Sequence, residues 1–111
     1  MSETPILRDT LCAVTARPDV LAWRNNTGVA VVPGGRVIRF GLPGSSDIVG
    51  IKSIVITQDM VGQTIGQALA IETKTLTGRQ SSLQKNFGQI WRRLGGLYVL
   101  ATSADQALAA L

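Results

Sequence analysis

The sequence predicts an α/β domain of the α+β kind, in which a mixed β-sheet is flanked by helices. Its 111 residues are the length of one domain. Its composition, 45% hydrophobic and 16% charged, is typical of a globular chain rather than a disordered one. Segments with helical and strand-like patterns follow each other as helix, several strands, helix, strand, helix. We therefore expect a single domain over residues 1–111.

Hydrophobic periodicity and turn residues define the elements of the first half. Leu7, Leu11 and Val14 recur at helical spacing. The Pro-Gly-Gly turn at 33–35 separates two apolar stretches, which favours a hairpin. The predicted elements are a helix over 5–16, strands over 20–24, 28–32 and 36–40, a loop over 41–46, and a strand over 47–56 that Gly50 interrupts.

The second half contains the clearest helix. Ser81 and Gln84 fit a capping box, in which each residue hydrogen-bonds the backbone of the other. An apolar stripe follows at helical spacing, and Gly95 and Gly96 end the helix. The predicted elements are a turn of helix at 57–61, a long strand over 65–75, this helix, a strand over 97–101 and a short helix over 104–111.

Composition excludes several classes of chemistry and location. Histidine is absent, which excludes Ser-His-Asp and Cys-His catalysis and zinc held by histidine. Cys12 is the only cysteine, so no disulfide forms within the chain and a reducing compartment is expected. No apolar run approaches the length of a membrane span, and the N-terminus has no secretory signal pattern. We expect a cytoplasmic protein that is not secreted and has no membrane partner.

The net charge of +4 comes mostly from arginine, with eight arginines and three lysines. Arginine favours a phosphate-bearing partner such as DNA, because its guanidinium group matches phosphate oxygens. The same charge also serves simply to keep a small protein soluble.

Two carboxylates and one lysine are the candidates for chemistry. Glu72 and Lys74 are two residues apart in a predicted strand, where side chains alternate between faces, so both point to the same face. Asp47 ends a glycine-rich loop before an apolar strand. If the strand that follows Asp47 pairs beside the Glu72 strand, the three side chains meet and predict a Mg²⁺ or Mn²⁺ site, in which carboxylates bind the ion and the lysine lies beside the scissile phosphate. The alternatives are a solvated Glu72–Lys74 ion pair and a turn-capping Asp47.

These residues belong to an ordered set of short motifs that resembles a known family. The chain is similar to the virus-type replication-repair nuclease (VRR-NUC) family of the PD-(D/E)XK superfamily, and in particular to small phage-type members that consist of this domain alone. The resemblance runs from about residue 3 to residue 101, and it implies the restriction-endonuclease-like core of that superfamily. Its motifs are WRNNTG at 23–28, RVIRFG at 36–41, GSSD at 44–47, IETK at 71–74, GRQS at 78–81 and Gln84.

The resemblance implies a role for each matching position. Asp47 and Glu72 are the expected metal-binding carboxylates, with the backbone carbonyl of Thr73 as a further ligand and Lys74 as the catalytic lysine. Gln84 is the expected helix glutamine at the site, although helix capping explains a glutamine there equally well. Glu3 lies near the position of a family glutamate that reaches the metal. The expected DNA contacts are Arg24, Asn25, Arg36, Arg39, Arg79 and Gln80.

We therefore expect a Mg²⁺- or Mn²⁺-dependent endodeoxyribonuclease that acts as a homodimer on branched DNA, such as a four-way junction or a flap. The first alternative is a DNA-binding module without turnover, or an accessory subunit of a partner nuclease. The second is a small structural protein whose charge serves only solubility.

Overall fold

The computed structural model describes residues 4–111. In that range the chain forms three α-helices and six β-strands, which confirms a mixed α+β class. The strands form three two-stranded sheets, so the expected single mixed sheet is not observed among the described residues. Contacts divide the chain into two compact units, Met1–Gly50 and Ile51–Leu111, which we call the N-terminal unit and the C-terminal unit. The prediction of a single functional domain stays a prediction.

Most predicted elements are present, but two strands are shorter than expected. The strand predicted over 65–75 covers only five residues, and so does the strand predicted over 47–56. Apolar and β-branched residues favour a strand only where a neighbouring strand pairs with them, and residues 53–56 lie in no strand. The elements are α1 (Pro5–Thr15), β1 (Val20–Arg24), β2 (Gly28–Val31), β3 (Val37–Phe40), β4 (Ile48–Lys52), a 3₁₀ helix (Gln58–Met60), β5 (Leu69–Thr73), α2 (Ser82–Arg93), β6 (Leu97–Ala101) and α3 (Ala104–Ala109).

The N-terminal unit contains α1, β1, the β2–β3 hairpin and the first three residues of β4. Thr4 caps α1 by accepting a hydrogen bond from the backbone N–H of Leu7 at 3.1 Å. Strands β2 and β3 form the predicted antiparallel hairpin, in which Val31 pairs with Val37. β1 pairs with β4. β1 and β4 approach so closely at Gly50 that a Cβ atom there would overlap the carbonyl oxygen of Leu21.

The C-terminal unit is a β-α-β arrangement with a packed core. β5 and β6 are parallel, and α2 connects them and packs against β6. Gly88 of α2 lies directly on the ring of Tyr98, where a Cβ atom would come within 2.8 Å of the ring. Trp91 stacks on Phe87 with ring centroids 5.2 Å apart. The indole Nε1–H of Trp91 donates a hydrogen bond to the carbonyl oxygen of Leu97 at 3.2 Å. α3 packs against β6 as well.

Candidate functional site

An acid–amine pair lies at the carboxyl end of β5. Glu72 is the fourth residue of β5 and Lys74 follows the strand directly, so their side chains share a face. The ammonium Nζ of Lys74 lies 3.9 Å from Oε2 of Glu72. The side chains are 22% and 25% exposed for Lys74 and Glu72, so this is not the fully solvated surface pair that the alternative interpretation describes. The predicted shared face is confirmed.

The backbone of this pair is fixed by the neighbouring strand. Glu72 is paired with Leu100 and Thr73 with Ala101 in the parallel register of β5 and β6. The backbone N–H of Lys74 donates to the carbonyl oxygen of Ala101 at 3.0 Å, which continues the pairing one residue beyond β5. The two functional groups are therefore carried on a hydrogen-bonded strand end rather than on a free loop.

An open depression of about 550 Å³ adjoins the strand end. Its lining consists of Lys74, three threonines, one serine and three alanines, and contains no acidic residue. Parallel strands commonly bind ligands outside their carboxyl ends, because the connecting segments leave space there. Thr102 and Ser103 belong to this lining and were missed by the sequence prediction. Their position directly after β6 is the signal that would have identified them.

Asp47 lies in the N-terminal unit, on an exposed loop that leads into β4. Asn25 holds this loop, because its side-chain Nδ2 donates to Oγ of Ser45 at 2.7 Å and to the carbonyl oxygen of Ser46 at 3.0 Å. The backbone N–H of Asn25 also donates to the carbonyl oxygen of Asp47 at 2.8 Å. The carboxylate of Asp47 itself makes no hydrogen bond or ion pair with another residue in 4–111. The loop thus leaves a carboxylate available, and the turn-capping interpretation of Asp47 finds no hydrogen bond in its favour.

Gln84 serves as a helix cap. The Oγ of Ser81 accepts from the backbone N–H of Gln84 at 3.1 Å, and Oε1 of Gln84 accepts from the backbone N–H of Ser81 at 3.0 Å. The predicted capping box is confirmed, and a further role of Gln84 at a reacting centre stays a prediction.

The residues predicted to contact DNA are distributed over both units. Asn25 is engaged in holding its loop, as described above. Gln80 donates from its side-chain Nε2 to the hydroxyl oxygen of Tyr98 at 2.9 Å, and is half-buried. Arg24 is half-buried at the end of β1. The remaining three are exposed: Arg36, Arg39 and Arg79.

The predicted metal ligands at the strand end are the carboxylate of Glu72 and the backbone carbonyl of Thr73, and their binding of a cation stays a prediction. Mg²⁺ binds proteins through one or two carboxylates and completes its shell with water and substrate phosphate, so this donor set fits such an ion. Within residues 4–111, no cluster of three or more Asp, Glu, His or Cys side chains forms a closed metal site. Glu3, a further predicted ligand, lies outside the described residues.

None of the helices in residues 4–111 combines the length and the apolar character needed to cross a membrane. No protein-family model matches the sequence, and no match was found among curated proteins or solved structures. The function is therefore inferred from the chain's own residues, their geometry and the motif resemblance described above.

Proposed function

We propose that this chain is a Mg²⁺- or Mn²⁺-dependent, structure-selective endodeoxyribonuclease that hydrolyses phosphodiester bonds in branched DNA, such as four-way junctions or flaps. The observation that carries the proposal is the Glu72–Lys74 pair, with 3.9 Å between its charged atoms, at the carboxyl end of a parallel strand. A restriction-endonuclease-like core and a homodimeric assembly belong to the same proposal.

In this proposal each residue at the strand end has a separate task. The carboxylate of Glu72 and the backbone carbonyl of Thr73 would hold the divalent ion. When bound, the ion supplies Lewis-acid polarisation of the phosphate and activation of a water molecule. The ammonium of Lys74 donates hydrogen bonds to the scissile phosphate and compensates the negative charge that develops on it.

Asp47 enters the proposal as the second carboxylate, on the strength of the family resemblance. Its carboxylate is exposed and makes no hydrogen bond or ion pair within the described part of the chain, which leaves it available to a cation. The chain's positive charge and its lack of histidine fit a phosphate substrate handled by carboxylates, lysine and metal.

Cleavage of a fluorescently labelled four-way junction in Mg²⁺ tests the proposal. Lys74→Ala should lower the rate at least about a hundredfold, because it removes a donor to the developing charge. Glu72→Gln should lower it as well, because the neutral amide binds a divalent ion weakly. Lys52→Ala, which removes an exposed lysine of β4, is the matched control and should cleave normally. Normal cleavage by a folded Lys74→Ala protein contradicts the assignment.

A DNA-binding module without turnover is the second candidate. It is favoured by one observation, the lack of a closed three-residue cluster of metal-binding side chains within residues 4–111. Such a module would bind the junction equally well in Mg²⁺ and in a chelator, and would not cleave it in the presence of any divalent metal. The nuclease proposal instead expects products in Mg²⁺ or Mn²⁺ and none in the chelator.

A further inference from the structure

The exposed face of α2 carries a row of polar and cationic side chains. Lys85, Gln89 and Arg93 follow each other at intervals of four residues, so they lie along one side of the helix. All three are exposed. The other side of α2 is buried against β6 through residues such as Trp91 and contains no charged residue in its buried part. We call Lys85, Gln89 and Arg93 the α2 stripe.

The two cations of the α2 stripe form no ion pair within residues 4–111. No carboxylate in residues 4–111 lies within 4.0 Å of the side chain of Lys85 or Arg93. The neighbouring Arg92 behaves differently, since its guanidinium lies 5.1 Å from the centre of the Tyr98 ring and donates to the Tyr98 carbonyl oxygen at 3.3 Å. Arg92 therefore stabilises the packing of α2, whereas Lys85 and Arg93 face solvent.

Helix stability does not explain the placement of Lys85. The positive end of a helix dipole lies at the N-terminus, where acidic residues are stabilising and cations are not. The first turn of α2 contains no acidic residue, and Lys85 is the fourth residue of the helix. Arg93 lies in the last turn, where a cation suits the dipole. The helix is thus positive along its exposed side, including the end where its own dipole disfavours positive charge.

The C-terminal unit as a whole has an excess of positive charge. It contains six lysines and arginines and only three acidic residues, whereas the N-terminal unit of the sequence contains five and four. The excess is consistent with a polyanionic partner for the C-terminal unit.

We infer that the α2 stripe binds the phosphate backbone of a nucleic acid. This inference rests on the proposed function and adds to it a surface outside the candidate active site. The stripe spans about 12 Å at about 1.5 Å per helical residue, which corresponds to roughly three to four nucleotide steps at 3.4 Å each. A membrane surface fits less well, because membrane-bound amphipathic helices insert their apolar face, and that face of α2 is buried against β6.

The test uses the salt dependence of binding to a fluorescein-labelled four-way junction, measured in a chelator so that no cleavage occurs. The variant Lys85→Gln/Arg93→Gln removes both cations and keeps good helix formers at both positions. Between about 50 and 200 mM KCl, the slope of log affinity against log salt should become shallower by about two, because each lost phosphate contact contributes about 0.9. Affinity should fall about tenfold or more at the middle of this range.

The matched control is Arg8→Gln/Arg17→Gln. It removes the same two charges, but from side chains that pair with Asp9 and Asp19 in the N-terminal unit. The control should keep the wild-type slope. Binding of the α2 variant to phosphatidylserine vesicles is measured in parallel. The inference is overturned by an unchanged slope in the α2 variant or by an equal loss of junction affinity in the control. It is also overturned if the α2 variant loses vesicle binding but keeps junction binding.

The two proposals fail in distinguishable ways. If the α2 variant binds like the wild type while the wild type cleaves the junction in Mg²⁺, the stripe is wrong and the nuclease proposal stands. If the slope becomes shallower as expected but the wild type does not cleave the junction with any divalent metal tested, the nuclease proposal is wrong and the stripe stands.

Discussion

The two units of this chain differ in how they bury side chains. Within residues 4–111, the six buried hydrophobic residues all lie in the C-terminal unit: Ile51, Trp91, Leu94, Tyr98, Val99 and Ala101. In residues 4–50 of the N-terminal unit, no residue is buried. Val29, Val31 and Val37 of the β2–β3 hairpin are each more than half exposed.

The difference follows from the connections in each unit. In the C-terminal unit, α2 links two parallel strands and packs against one of them, which places its apolar stripe on the sheet. The N-terminal unit relies on the strand pairs β2–β3 and β1–β4, and a two-stranded pair alone has little buried area. The Glu72–Lys74 pair therefore lies in the unit with the packed core, whereas Asp47 lies on a loop held by polar contacts.

The largest expected effect compares the two tryptophans. Trp91 is 5% exposed and Trp23 is 40% exposed. Trp91→Ala should lower the free energy of unfolding by about 3–5 kcal/mol, because it leaves a cavity beneath α2. Trp23→Ala should cost about 1 kcal/mol. Urea unfolding followed by circular dichroism measures both, and equal losses would contradict the contrast in burial.

Gly50→Ala tests whether backbone packing compensates for the lack of buried side chains in the N-terminal unit. The new Cβ atom would overlap the backbone of Leu21 and Ala22 on β1. We expect a loss of about 1–3 kcal/mol in the free energy of unfolding. Gly66→Ala is the control, since a Cβ atom there meets nothing within 4 Å and should leave stability unchanged or slightly higher. A Gly50→Ala protein as stable as the wild type would show that β1 and β4 are not tightly paired.

Asn25→Ala tests the polar contacts that hold the Asp47 loop. It removes the two side-chain hydrogen bonds to Ser45 and Ser46, which should cost about 1–2 kcal/mol. Amide hydrogen exchange should become faster in residues 41–47 and remain unchanged in α2. The exposed neighbour Asn26 provides the matched Asn26→Ala control. Unchanged exchange in residues 41–47 would mean that Asn25 does not hold the loop.

The smallest effect concerns an exposed turn of the C-terminal unit. Two hydrogen bonds lower the pKa of Asp59. The larger effect comes from the hydroxyl of Thr57 and the smaller one from the backbone N–H of Asp59. A lowered carboxyl pKa adds stability that is present above the unfolded-state pKa and is lost as pH falls through the folded-state pKa. Thr57→Val should raise the pKa of Asp59 towards its ordinary value, as measured by NMR titration. The same pKa in both proteins would show that this hydrogen bond is not made in solution.

Local sequence patterns predicted the features that depend on neighbours in the chain. The capping box of Ser81 and Gln84 and the hairpin at 33–35 follow from spacing and turn residues, and both are present. The shared face of Glu72 and Lys74 follows from strand alternation, and it is confirmed.

Features that depend on partners far along the chain were not predictable in this way. The lengths of β4 and β5 depend on which strands pair with them, and hydrophobic pattern alone overestimated both. Asn25 was predicted to contact DNA, but its side chain bonds residues 20 and 21 positions away. Gln80 likewise bonds Tyr98, 18 positions away, which no local pattern indicates.

Paramagnetic broadening by Mn²⁺ tests the central claim most directly. In an amide NMR spectrum, low Mn²⁺ concentrations should selectively broaden the signals of residues 72–74. Glu72→Gln should abolish this broadening, whereas Asp105→Asn, an acidic residue of α3 outside the proposed ligands, should leave it intact. Broadening centred on other residues, or unchanged in Glu72→Gln, would contradict a metal-dependent site at the end of β5.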